Sequence, residues 1–139
     1  MLSTKITLFL SMAAMTLAAP SPSRAFAPEP LQKRVDLSCT DNGGGYIPVS
    51  EAQACVDYLF NKGSESCTVS GENVVFCSAG STVITGSNLA GSGGTSSLCR
   101  DVAYGAQAII DSCTTSVGYV AGYNAAGGNG NLIVSINHS

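Results

Sequence analysis

Few side chains in this sequence could do chemistry. The single histidine, His138, is second from the C-terminal end, where chains fray. No serine, cysteine or carboxylate stands at a spacing that would join it in a nucleophilic relay. A glycosidase needs only two carboxyl groups at the right separation, and Asp57, Glu65, Glu72, Asp101 and Asp111 are available. Asp57 and Asp101 are expected on polar helix faces and Glu65 and Glu72 in turns, so they read as solvated surface. Asp36 and Asp41 flank Cys39 without the spaced carboxylates of a calcium loop. The glycines at 43–45 and the other Gly runs lack the helix and lysine of a phosphate cradle. The absence of Trp and the scarcity of aromatics leave little from which to build a sugar-stacking cleft. The expectation is no catalytic residue, no metal and no cofactor, with the binding residues unassigned.

Cysteine is the remaining chemistry. Cys39, Cys55, Cys67, Cys77, Cys99 and Cys113 all lie beyond residue 34, and an even number in a small exported chain reads as three disulfides. Export is inferred from the opening residues. Lys5 followed by the apolar run 6–17 and small residues near position 18 has the pattern of a signal peptide over 1–18. The run is shorter than the roughly 20 apolar residues of a membrane span. Residues 19–34 hold four of the five prolines and no apolar periodicity, as expected of an unpacked pro-segment. The segment closes on Lys33 and Arg34, a pair resembling the cleavage site of kexin-type processing proteases. A single stapled domain over 35–139 is expected to remain.

That domain carries eight acids against two bases, Lys62 and Arg100, a net charge of −6. Such a surface repels phosphate backbones and anionic lipid, which argues against nucleic acid as a partner and allows membrane contact only through a surface target. A monomer is expected. Asn137-His138-Ser139 is an N-glycosylation sequon.

The elements that must hold these residues can be read from periodicity. Ala52, Cys55, Val56, Leu59 and Phe60 recur at helical spacing, with Ser50 as the expected N-cap, Gln53 completing a capping box, and Gly63 as the stop. A second helix is predicted over 97–112, burying Leu98, Val102, Ala106, Ile109 and Cys113; its start lacks a capping box. Residues 67–77 alternate with period two and predict a hairpin turning at Gly71 and Glu72, with Cys67, Val69, Val74 and Phe76 inward. A short strand is predicted over 81–85, and a C-terminal hairpin turning at Asn129 and Gly130. Residues 86–95 and 124–129 read as Gly-rich loops, either connectors or carriers of recognition. The fold class expected is α+β, a two-layer α/β sandwich in which two helices pack on an antiparallel sheet.

Alternation constrains the bridges. Cys67 inward and Cys77 outward should not pair, and Cys99 and Cys113, about 21 Å apart along one helix, cannot. If Cys77 pairs with Cys39, then Cys55 and Cys67 must each take one of Cys99 and Cys113.

The stretch "SLCRDVAYGAQAIIDSC" followed by "GYVAGYNAAGGNGNLIVSIN" resembles the killer-toxin-like small secreted proteins of fungi. The shared features are a helix bounded by cysteines, a Gly-rich turn, and a last strand of the type seen at Gly130, Leu132 and Val134. The resemblance covers roughly the last 45 residues, with a looser match before them, and necrosis-inducing effectors of fungi share the plan. It implies a secreted, non-enzymatic protein of the α/β-sandwich type that acts on an extracellular host or competitor target, protein or glycan. Such relatives are antimicrobial toxins or plant-infection virulence factors. The chain departs from the smut-virus toxin in its fewer cysteines and its two mature bases, so no site residue is carried across. Two other classes remain open: a small secreted two-carboxylate hydrolase, and a cell-wall or carbohydrate-binding structural protein.

Overall fold

The computed structural model describes residues 35–41, 43–71, 73–91 and 93–139. The expected signal peptide (1–18), the expected pro-segment (19–34) with Lys33 and Arg34, and Glu72 of the expected hairpin turn lie outside the described residues. In chain order the elements are β1 (Ile47–Pro48), α1 (Val49–Lys62), β2 (Ser66–Val69), β3 (Val74–Ala79), β4 (Thr82–Asn88), β5 (Thr95–Leu98), α2 (Cys99–Cys113), β6 (Tyr119–Val120), β7 (Gly122–Ala126) and β8 (Asn129–His138). The fold is α+β. Its expected single sheet is instead three antiparallel ones: a four-stranded sheet in the order β3-β4-β8-β7 and two ribbons, β1-β6 and β2-β5. The helices pack on each other, α1 lying against β3 and β4 and α2 against β7 and β8.

Both helices start without a side-chain cap. Pro48 ends β1 in an extended conformation and α1 begins at Val49, so Ser50 lies inside the helix rather than at its cap. Backbone carbonyls do the capping. Val49 N–H donates to the Gly118 carbonyl at 2.9 Å, and at α2 Cys99 and Arg100 donate to Glu65 and Gly63 at 2.8 and 3.0 Å. Orphan helix donors need a partner of any origin, and here neighbouring turns supply it. Gln53 is thereby released from the expected capping box and bonds across to Gln107 on α2 at 2.8 Å. Gly63 does end α1, at φ +56° with its N–H on the Phe60 carbonyl.

The helical stripes bury as their spacing predicts. Ala52, Cys55, Val56 and Leu59 of α1, and Val102, Ala106, Ile109 and Cys113 of α2, form one core with Ile47, Val69, Ile84, Val120, Leu132, Val134 and Ile136. Each fully buried aliphatic side chain of this kind contributes about 1.5–3 kcal/mol. Leu98 falls just outside α2, as the last residue of β5.

Strand pairing departs from expectation. β2 pairs with β5 (Cys67 opposite Ser97), while β3 turns at Gly80 and Ser81 to pair with β4. The inward and outward faces of β2 are as predicted. On β3 a bulge between Val75 and Cys77 reverses the alternation, so Cys77 and Ala79 turn toward the core. The extra residue of a bulge does this to any strand. The bridges follow: Cys39–Cys113, Cys55–Cys77 and Cys67–Cys99. Cys67–Cys77 and Cys99–Cys113 are excluded as expected, but Cys77 joins Cys55 on the helix above it rather than Cys39. No cysteine is free.

The Gly-rich stretches are more ordered than they read. β4 runs on to Asn88, and Gly86 within it leaves room for the Phe76 ring, whose edge a Cβ there would meet at 2.3 Å. Residues 124–126 are strand, with Ala125 and Ala126 buried. The C-terminal turn is formed by Gly127 and Gly128, not by Asn129 and Gly130; Ala126 pairs directly with Asn129.

Candidate functional site

The residues with acid–base potential are dispersed, and several are engaged locally. His138 is exposed at the end of β8, with Nδ1 2.8 Å from the Ser139 carbonyl. Lys62 and Glu65 form an exposed ion pair at 3.5 Å. The Lys62 ammonium also sits 5.3 Å from the centre of the Tyr58 ring, and its hydrogen bond to Tyr58 raises its pKa above the ordinary value. Asp57 and Asp111 lie on different helices, joined through amides. Gln53 donates to Asp57 and to Gln107, and Gln107 donates back to Gln53 and on to Asp111. This ladder ties α1 to α2 and engages both carboxylates. Among the described residues no three His, Cys, Asp or Glu converge as a metal site, and no helix is long and apolar enough to cross a membrane. Asn137 of the sequon lies inside β8, opposite Val83, with its Oδ1 buried.

Glu51 was not singled out by the sequence. From the first turn of α1 it reaches the β3–β4 turn, where its Oε2 accepts from Ser81 N, Ser81 Oγ and Thr82 Oγ1 at 2.8–3.0 Å. The Ser81 hydroxyl leads the interactions that hold its carboxyl below the ordinary value. Gly80 is tied to this arrangement, since a Cβ there would meet the Glu51 carboxylate at 2.3 Å. The cluster is a clasp between helix and hairpin.

The surface offers recognition features instead. Tyr46, Tyr58, Tyr104 and Tyr119 are 45–59% exposed, and Val75, Leu89 and Val117 are exposed as well. A groove of about 420 Å³ runs between α1 and the edge strand β3, lined by Tyr58, Phe76 and Cys77 among others. A second depression of about 260 Å³ lies where α2 meets the β7–β8 hairpin, between Tyr104, Gly105, Asn124 and the turn glycines. It shares Gly127, Gly128 and Asn129 with a third, of about 410 Å³, which adds Asp101 and the serines of the β2–β5 ribbon.

Close backbone approach creates this paired cleft. Gly105 lets α2 pack directly on β7, because a Cβ there would lie 2.6 Å from the Ala125 carbonyl. Asn124 uses the gap to donate from Nδ2 to the Gly105 carbonyl at 3.3 Å, while its Oδ1 is buried without a hydrogen bond. Asp101 holds the turn from below, its carbonyl accepting from Gly127 N at 2.8 Å. Asn129 Nδ2 lies 2.8–3.0 Å from Thr95 Oγ1, the Ser96 carbonyl and Ser97 Oγ, tying the hairpin to β5. Tyr104 stands over the cleft with its ring held edge-on by Phe60 at 4.9 Å. Of these residues Asp101 enters the search for chemistry, and 124–129 read as a loop that is either a connector or a carrier of recognition, whereas Tyr104 and Gly105 are not singled out. The available signal was Tyr104 beside Gly105 on a helix, followed by a Gly-Gly turn.

Residues 34–138 match a family described as a domain of unknown function, DUF8794. No curated protein matches the chain.

Proposed function

The chain belongs to the DUF8794 family, and we propose that its mature domain is a secreted, non-enzymatic, toxin-like effector that binds an extracellular target. The observation that carries this reading is the exposure of four of the five tyrosines on a scaffold stapled by three disulfides. Exposed aromatic residues on a rigid frame are characteristic of recognition surfaces, and three bridges suit an oxidising, extracellular setting. Support also comes from the cysteine-bounded second helix and Gly-rich hairpin, on which the resemblance to killer-toxin-like proteins of fungi rests. The two helices lying against the four-stranded sheet favour the two-layer sandwich expected of such proteins, with the ribbons β1-β6 and β2-β5 as additions.

The test is to apply the purified secreted protein to plant leaves and to cultures of competing fungi, beside a glycan-hydrolysis assay. Necrosis or growth inhibition without hydrolysis is the expected result. Hydrolysis abolished by a single carboxylate substitution, at Asp57, Asp101 or Asp111, would replace this reading with the two-carboxylate hydrolase.

A further inference from the structure

We infer that the paired cleft across the Gly127 and Gly128 turn is a binding site for an uncharged oligosaccharide. The inference rests on the effector reading and names the chemical class of its target. Three features of the cleft point there. Tyr104 supplies a half-exposed aromatic face whose orientation is fixed by the edge contact from Phe60. A sugar ring presents a flat C–H face to such a surface, and tyrosine adds a polar handle at the rim. A shortage of aromatics in the sequence is therefore no obstacle, because one correctly held ring provides a platform.

The polar groups come next. Asp101 lies one helical turn before Tyr104 and Gly105 and lines the adjoining depression, where a carboxylate accepts hydrogen bonds from hydroxyls. Asn124, 5% exposed, lines the other depression with an Oδ1 that lacks a partner. A ligand hydroxyl satisfies that oxygen when the amide turns outward, exchanging the long Nδ2 bond to Gly105 for one to the sugar and removing the penalty of an unpaired buried acceptor. The rest of the lining is Gly and Ala with Leu98 and serine and asparagine side chains. It combines hydroxyl and amide partners with small apolar surface, the mixture that the polar edges and C–H faces of a sugar require.

Charge decides between sugars. The lining contains one carboxylate and no base, and the whole domain carries −6, so uronic and sulfated glycans are repelled. The two depressions, about 260 and 410 Å³, meet across the turn. Together they are on the scale of established ligand pockets, about 300–1,000 Å³, with room for more than one sugar ring.

The experiment titrates the secreted protein with chitotetraose, laminaritetraose and mannotetraose, and with tetragalacturonate as the anionic control. Calorimetry and amide-proton NMR are the readouts. At least one neutral sugar is expected to bind, shifting the amides of Gly105 and residues 124–130, while the anionic control does not. Tyr104→Ala should weaken that binding by about tenfold or more, and Tyr104→Phe, which keeps the ring and its Phe60 contact, should retain most of it. Asp101→Asn should weaken binding with the thermal midpoint unchanged. Failure of all three neutral sugars to bind, equal binding of tetragalacturonate, or full binding by Tyr104→Ala would each overturn the assignment. Biological activity without sugar binding sinks this inference alone. Sugar binding without activity on leaves or fungi sinks the effector reading and leaves the cleft assignment standing.

Discussion

Gly105→Ala sets two physical effects against each other with opposite signs. Within a helix, replacing glycine by alanine ordinarily stabilises by about 1 kcal/mol. Here the added carbon would lie 2.6 Å from the Ala125 carbonyl oxygen, 3.2 Å from Ala126 Cα and 3.3 Å from Ala125 C. All three are backbone atoms of β7, a strand hydrogen-bonded along β8, so no flexible side chain can move aside. Overpacking of this kind costs about 1–3 kcal/mol. Pushing α2 away from β7 also lengthens the Asn124 to Gly105 hydrogen bond, already 3.3 Å, at a further cost of about 0.5–1.5 kcal/mol. After the propensity gain is subtracted, a net destabilisation of about 2 kcal/mol remains. For a domain of this size that lowers the midpoint of thermal unfolding by about 10 °C. Circular dichroism melts of the two proteins, with urea titrations to confirm an unchanged m-value, make the measurement. If Gly105→Ala melts at or above the wild-type temperature, helix propensity dominates and the direct α2–β7 contact does not limit packing.

Three other outcomes are expected. Glu51→Gln should lower stability near neutral pH and matter little in acid. The folded carboxyl lies below its ordinary value of 4.5, so its contribution is present above that pH and lost as pH falls through the folded value. The gap between the two melting curves should therefore narrow as pH falls from neutral into the acid range; a gap that stays constant with pH would mean that the clasp works through shape rather than charge. Leu89→Asp, at an exposed loop position, should leave the fold intact, whereas Ala126→Asp, at 4% exposure, should prevent it by burying an unpaired carboxylate; both are read from amide NMR dispersion. Among the disulfides, loop-closure entropy ranks Cys39–Cys113 (separation 74) at about 4.5 kcal/mol and Cys55–Cys77 (separation 22) at about 3.4. Urea midpoints of the paired alanine variants should follow that order, and the reverse order would show that packing of the buried Cys55 sulfur outweighs loop closure.

Much of the fold was legible because periodicity reports burial. The stripes from Ala52 to Leu59 and from Val102 to Cys113 stood out at helical spacing, and the inward set Cys67, Val69, Val74 and Phe76 at spacing two. Periodicity does not name a partner. β2 alternates in the same way whether it pairs with β3 or with β5, and what favours β5 lies about thirty residues downstream: the Cys67–Cys99 bridge and the Thr68–Ser96 hydroxyl contact at 2.9 Å. A bulge inserts one residue without changing composition, so the inward turn of Cys77 left no trace in the sequence, and the pairing built on its outward placement failed with it. Helix starts were misread for a related reason. Side-chain caps can be recognised locally, but carbonyls supplied by Gly118, Glu65 and Gly63 become caps only after tertiary folding.

The cleft was hidden by the same distinction between what a residue is and where the backbone brings it. A search for chemistry attends to histidines, thiols and carboxylates, and most of those side chains proved to be partnered: the thiols in bridges, Glu51 in a clasp, and Asp57 and Asp111 in a ladder. The cleft is built largely from absent side chains. Gly105 draws the helix onto the strand, Gly127 and Gly128 fold the hairpin tightly enough to leave a depression on each side, and Asn124 is caught between with one oxygen unpaired. Read singly, each glycine suggests flexibility. Held between α2 and the β7–β8 hairpin they do the opposite, fixing an aromatic ring, an amide and a carboxylate around one concave surface. Among these, Asn124 is the residue buried with one acceptor unpaired, a cost that an alanine would not carry. Asn124→Ala gives up the Nδ2 bond to Gly105, about 0.5–1.5 kcal/mol, and removes the penalty of the unpaired Oδ1, about 1–3 kcal/mol. It should therefore melt close to the wild type while losing sugar affinity. A marked fall in stability with sugar affinity unchanged would assign Asn124 to the scaffold rather than to the cleft.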